Sequence, residues 1–129
     1  MDMMSVPVGA ACSTATTADA RQRTRDFLEV LLPPLGAAAA DTVILVVSEL
    51  VTNALQHAGG ACTLDLTAYP NSIEVAVHNP SAQAPRMRTP DLNRGTGGFG
   101  WPMVNRLSRT TRVTEAPTGG KTVRALLPR

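Results

Sequence analysis

The spacing of apolar and polar positions changes several times along the chain, and each change marks an element. From Ala18 to Leu32, the apolar residues Phe27, Leu28, Val30, Leu31 and Leu32 are set against Arg21, Arg25 and Glu29. This predicts a helix that Pro33 and Pro34 stop. Asp41 to Ala58 is the clearest helix. Ile44, Val47, Val51, Ala54, Leu55 and Ala58 fall on one continuous face, Asp41 is placed to cap the start, and Gly59-Gly60 ends it. The period then drops to two. Cys62, Leu64 and Leu66 alternate with Thr63, Asp65 and Thr67, and Ile73, Val75 and Val77 alternate with Glu74, Ala76 and His78. With Tyr69-Pro70-Asn71-Ser72 as the turn, these stretches predict an antiparallel hairpin.

Asn79 to Gly100 has no period. It carries Pro80, Pro85, Pro90 and a cluster of glycines, and reads as a loop. A short helix is predicted from about Pro102 to Ser108, since Pro suits the first helical position. Thr110 to Glu115 and Thr122 to Leu127 predict a second hairpin around Pro117-Thr118-Gly119-Gly120. The order of elements predicts an α/β two-layer sandwich, a mixed and mostly antiparallel sheet with helices packed on one face. Residues 18–129 are expected to form one domain, and residues 1–17, rich in Ser, Thr, Ala and Gly, a flexible segment with at most a short edge strand near Val6 to Val8.

Composition narrows the chemistry. The 129 residues are 43% hydrophobic but only 3% aromatic, so the core must be aliphatic and stacking platforms for single-stranded nucleic acid are nearly missing. The net charge is +2 and the arginines are scattered, which gives no basic patch for nucleic acid or a membrane surface. Cys12 and Cys62 are too few for a zinc pattern or a disulfide framework. The start lacks a signal-peptide pattern, and the longest purely apolar run, Val43 to Val47, is far short of a membrane span. A reduced, cytoplasmic setting is expected.

The second helix carries the most informative residues. Leu45, Ser48, Glu49, Thr52, Asn53 and Gln56 form a largely polar stripe on an otherwise apolar helix. Burying an unpaired carboxylate costs several kcal/mol or more, so Glu49 needs a partner. Asn53 follows four residues later on the same face. A carboxylate and an amide oxygen are hard ligands suited to Mg²⁺ or its waters, and a carboxylate there can also take a proton from a hydroxyl. An open, solvated stripe would explain the same residues. Downstream, Gly95-Thr96-Gly97-Gly98-Phe99-Gly100 leads into the short helix. Glycines and a helix start suit phosphate oxygens, although the stretch is neither a P-loop nor a dinucleotide fingerprint. Asn79, at the end of an apolar strand, is placed to read a base edge or simply to begin a turn.

Taken together, these segments resemble the GHKL ATPase superfamily, which includes gyrase and the sensor histidine kinases. Val47-Ser48-Glu49-Leu50-Val51-Thr52-Asn53-Ala54-Leu55-Gln56-His57-Ala58 looks like its N box. Gly98-Phe99-Gly100-Trp101-Pro102-Met103-Val104 resembles its second glycine box, and Gly120-Lys121-Thr122 the turn into its last strand. The likeness runs from about Ala20 to the C-terminus and is greatest to small stand-alone actinobacterial regulators and anti-sigma serine kinases. The resemblance implies ATP and Mg²⁺ as cofactors. It implies Glu49 as general base or water-orienting group, and Asn53 as the Mg²⁺ ligand. Gly95, Gly97, Gly98, Phe99 and Gly100 would lie around the phosphates, Asn79 at the adenine, and Thr122 on the adenine side. It implies a protein partner, a sigma factor or an anti-sigma antagonist, and allows a homodimer, since related regulators often dimerise. One departure stands out: the family's first glycine box usually has Asp where this chain has Asn79. The loss of charge predicts weaker or altered nucleotide affinity.

Two functions follow. The first is an anti-sigma-type protein serine/threonine kinase acting through Mg-ATP. The second is a non-catalytic module that binds a protein partner on the same fold. A sensor histidine kinase fragment fits less well, because a single helix before the domain is too little for a dimeric four-helix bundle.

Overall fold

Strand alternation decides which side of the sheet is covered. In the computed structural model, which describes residues 8–58, 62–79, 100–115 and 120–129, the elements run β1 (Val8–Thr14), α1 (Thr17–Glu29), α2 (Ala37–Ala58), β2 (Cys62–Ala68), β3 (Ser72–Asn79), α3 (Gly100–Leu107), β4 (Thr110–Glu115) and β5 (Lys121–Pro128). The strand order is β1-β2-β3-β5-β4, and every pairing is antiparallel. On β2, Cys62, Leu64, Leu66 and Ala68 are buried while Thr63 and Asp65 are exposed. Register aligns Leu64 with Val77 and Val123, and Leu66 with Val75 and Ala125. These rows make one apolar face, on which the helices lie.

The helices divide that face among them. α1 packs on β1 and β2, α2 across β2, β3 and β5, and α3 on β4 and β5. Val43, Val46, Val47 and Val51 of α2 are fully buried against the centre of the sheet. The segment Ala37–Gln56 is long and apolar enough to cross a membrane, with a mean hydropathy of 1.5. Here it is the core helix of an α/β domain.

Three boundaries differ from the sequence pattern. β1 pairs with β2 over seven positions, from Val8↔Ala68 to Thr14↔Cys62, so the chain is built into the sheet well inside the stretch read as a flexible segment of residues 1–17. Its small side chains give no period-two signal, and β2 supplies the hydrogen-bond partner that holds it. α2 starts at Ala37, a turn before Asp41, because the run of alanines at 37–40 has high helix propensity and Gly36 already accepts a backbone bond from Ala40. α1 ends at Glu29; Leu31 is buried beyond it, while Val30 and Leu32 are 70% and 86% exposed.

Candidate functional site

One end of the sheet gathers most of the polar residues singled out above. β3 ends there at Asn79, β5 begins there at Lys121, and β2 begins there at Cys62. The C-terminal half of α2 points the same way, since only residues 59–61 separate Ala58 from Cys62. α3 joins β4 through Ser108 and Arg109 at the opposite end, where Thr110 faces Leu126. α3 is eight residues long, about 12 Å at 1.5 Å per residue, and its start at Gly100 is directed back over the Asn79 end. Thr111 fixes it to β4 by donating to Asn105 Oδ1 at 2.6 Å.

The polar stripe of α2 separates into two flanks. Thr52 Oγ1 shares a 2.9 Å hydrogen bond with Thr17 Oγ1, and Ser48 Oγ accepts from Arg21 at 3.1 Å. Those two residues therefore hold α1. Glu49 and Asn53 lie about 40° apart at 100° per residue, on the other side of the buried stripe, towards α3 and β5. Both are half-buried rather than buried, and their side chains make no hydrogen bond or ion pair among the described residues. The cost of burying an unpaired acid is thus reduced by partial solvation, not removed by a partner.

Asn79 is buried, 4% exposed, and lies on the helix-covered face because it continues the row of Ile73, Val75 and Val77. Its register partner Lys121 shares that face, in the series Lys121, Val123, Ala125, Leu127, and is 7% exposed. Burial is the main cause that pushes the Lys121 ammonium below its ordinary value, and the charge of Glu115 partly opposes it. Thr122, one residue on, lies on the opposite, uncovered face. There its hydroxyl meets His78 Nδ1 at 2.8 Å. Thr122 thus lies on the uncovered face and Lys121 on the helix-covered one, because alternation along a strand puts neighbours on opposite faces. The signal was present in the sequence: Lys121, not Thr122, is in phase with Val123, Ala125 and Leu127.

Gly100 begins α3, whereas Gly95, Gly97, Gly98 and Phe99 lie outside the described residues. Gly120 sits against the strand end, where an added Cβ would meet His78 Cε1 at 3.1 Å and the Asn79 carbonyl oxygen at 3.2 Å.

The donor set can be compared with a magnesium nucleotide. At the phosphate end it fits. Mg²⁺ takes one or two protein oxygens, keeps several waters and completes its shell from phosphates, and Glu49 and Asn53 offer one carboxylate and one amide on a single flank. The backbone N–H groups at the start of α3 suit anionic oxygens. No group of three or more His, Cys, Asp or Glu that could hold a metal by itself occurs among the described residues. At the strand end, the neutral amide of Asn79 stands beside Lys121.

Comparison with known families identifies the fold. Residues 13–126 match the model of the histidine kinase-like ATPase domain. The chain belongs to that family. Comparison with curated proteins gives no match. Among solved structures, this histidine kinase-like ATPase domain is similar to a chain of the SiaB–SiaC complex from Pseudomonas aeruginosa, with a TM-score of 0.67 and 12% identity over 92% of this chain and 88% of that one. At that identity the likeness concerns the fold. The five-stranded sheet with helices on one face is the α/β architecture predicted from the sequence.

Proposed function

We propose that this chain is a cytoplasmic regulatory protein that binds ATP with Mg²⁺ and phosphorylates a serine or threonine of a protein partner, a sigma factor or its antagonist. The observation that carries this reading is the placement of Glu49 and Asn53. They share the flank of α2 that faces α3, clear of the bonds that tie α2 to α1, and above the sheet end that holds Asn79. Asn53 would offer its amide oxygen to the metal, and Glu49 would take the proton of the attacking hydroxyl at its carboxylate. The first amides of α3 would face the phosphate oxygens. Bound Mg-ATP supplies the phosphoryl group to be transferred. Family membership supports the nucleotide. A solved relative found in a two-protein complex supports the partner.

A second reading keeps the partner and omits transfer. Asn79 favours it, since a neutral amide replaces the charge that the resemblance puts at the adenine. Calorimetry of the full chain with ATP and Mg²⁺ separates the outcomes. The kinase reading expects heat of binding and a thermal shift, followed by transfer of labelled phosphate to a protein captured from the native cytoplasm. Binding with no transfer to any captured partner supports the module, and no heat at millimolar nucleotide removes the ATP reading.

A further inference from the structure

β4 is an edge strand, and its outer side pairs with nothing among the described residues, since the strand order ends there. Its six residues hold unbroken register with β5, with no proline or bulge to turn an incoming strand away. A row of backbone N–H and C=O groups therefore faces outward, ready for another polypeptide. Alternation sends Arg112 to the open face of the sheet and Val113 to the helix side. Both are exposed, Val113 at 42%. Arg112 lies directly opposite Arg124 of β5, and like charges in that position repel. Arg124 reaches Thr114 Oγ1 at 3.4 Å, and Arg112 has no hydrogen bond or ion pair among the described residues.

The acids nearby do not cancel this charge at the edge. Arg112 and Arg124 line a hollow of about 190 Å³ with Glu74, Thr110 and Leu126, but Glu74 belongs to β3 and Asp65 to β2. With strands about 4.8 Å apart, a strand added beside β4 would run about 5 Å from Arg112 and about 10 Å from Arg124, against about 14 Å from Glu74 and about 19 Å from Asp65. Salt screens charges over about 8 Å under physiological conditions, so Arg112 dominates. Glu115, at the end of β4, has the opposite phase from Arg112 and is in register with Lys121. The edge is thus cationic on the open face and aliphatic at Val113 on the other. A nucleic-acid strand has no peptide groups with which to continue the sheet.

We propose that the outer edge of β4 is a docking surface to which an acidic, extended segment of a protein partner adds as a sixth strand. One of its carboxylates meets the Arg112 guanidinium, a planar fork suited to that group, and an aliphatic neighbour covers Val113. The inference rests on the protein partner of the proposed function, not on nucleotide or phosphoryl transfer.

The test uses a fluorescein-labelled octapeptide of alternating Glu and Val, titrated by anisotropy with the full chain, Arg112→Glu and Val113→Asp at low salt. Substitutions at exposed positions usually leave the fold intact. The native chain is expected to bind the peptide, and Arg112→Glu to bind it about tenfold or more weakly, the scale of one charge-assisted contact. Val113→Asp is expected to bind more weakly than the native chain as well. Hydrogen exchange should show added protection of β4 with peptide bound and none of β1, the other edge. An octapeptide of alternating Lys and Val probes the same contact without altering the chain, and is expected not to bind. Equal affinity of the native chain and Arg112→Glu, equal binding of the two peptides, or protection of β1 in place of β4 overturns the inference. Tighter binding of a labelled octathymidylate does the same. A native chain that ignores the Glu peptide but binds Mg-ATP overturns this inference and leaves the nucleotide reading standing. Peptide binding without Mg-ATP binding supports the surface and removes the nucleotide.

Discussion

Glu49 combines a proposed chemical role with a modest structural one. It is half-buried and holds up no neighbour among the described residues, so its removal should spare the fold. Glu49→Gln is expected to lower phosphoryl transfer by about 10²–10⁴-fold, the usual range for a general base, with Mg-nucleotide affinity kept. Full transfer by the variant would remove Glu49 from the reaction. Asp19 is different, being structural and only half-exposed. The Arg23 guanidinium, hydrogen-bonded to it at 3.0 Å, and the Thr14 hydroxyl hold its carboxyl below the ordinary value. A depressed carboxyl contributes stability that is present above the usual carboxylate range, about pH 4. That stability is lost as pH falls through the lower folded value. Denaturation midpoints measured against pH should therefore show a weaker acid-side decline in Asp19→Asn than in the native chain. Superimposable curves would show that this pair does not couple to folding.

Elements with a strong period were legible in the sequence: α2, the β2–β3 hairpin and the β4–β5 hairpin lie within a few residues of their predicted ends. β1 was not, because Gly9, Ala10 and Ala11 have no pattern of their own and are held by pairing with β2. The site was legible in part. Glu49 and Asn53 announced themselves by spacing, but the helix wheel alone could not tell that Ser48 and Thr52, in the same stripe, belong to the contact with α1. Motif likeness singled out Thr122, whereas strand phase puts its hydroxyl on the uncovered face with His78. The tight junction of β3 and β5 gives a test of its own. In Gly120→Ala the new Cβ would press on a backbone carbonyl at 3.2 Å, whereas at Gly36 it meets nothing within 4 Å. Thermal unfolding should show a clear loss for Gly120→Ala, about 1–3 kcal/mol as for other overpacked sites, and a smaller change for Gly36→Ala. Equal melting temperatures would mean that the strand junction yields freely.

For the whole molecule, the layer arrangement makes ligand and fold share one support. α2 supplies the core side chains Val43, Val46, Val47 and Val51 and also presents Glu49 and Asn53. A ligand that binds only the folded chain must raise its stability, by about 2.7 kcal/mol at a concentration one hundred times the dissociation constant. The melting temperature is thus expected to climb with Mg-nucleotide concentration in the native chain and to climb much less in Asn53→Ala. A variant that gains as much protection as the native chain would place the metal elsewhere.

The paired hydroxyls of Thr17 and Thr52 have a mechanical consequence. They fasten α1 to a stiff cylinder whose adjoining flank carries Glu49 and Asn53. With a side-chain radius of about 6 Å, turning that cylinder by roughly 10° sweeps its outer groups through about 1 Å. A misplacement of that size can slow a reaction by about 10²-fold. Whatever tugs on α1 from outside is therefore geared, through the Thr17–Thr52 and Arg21–Ser48 contacts, to the alignment of the groups proposed to react on the adjoining flank.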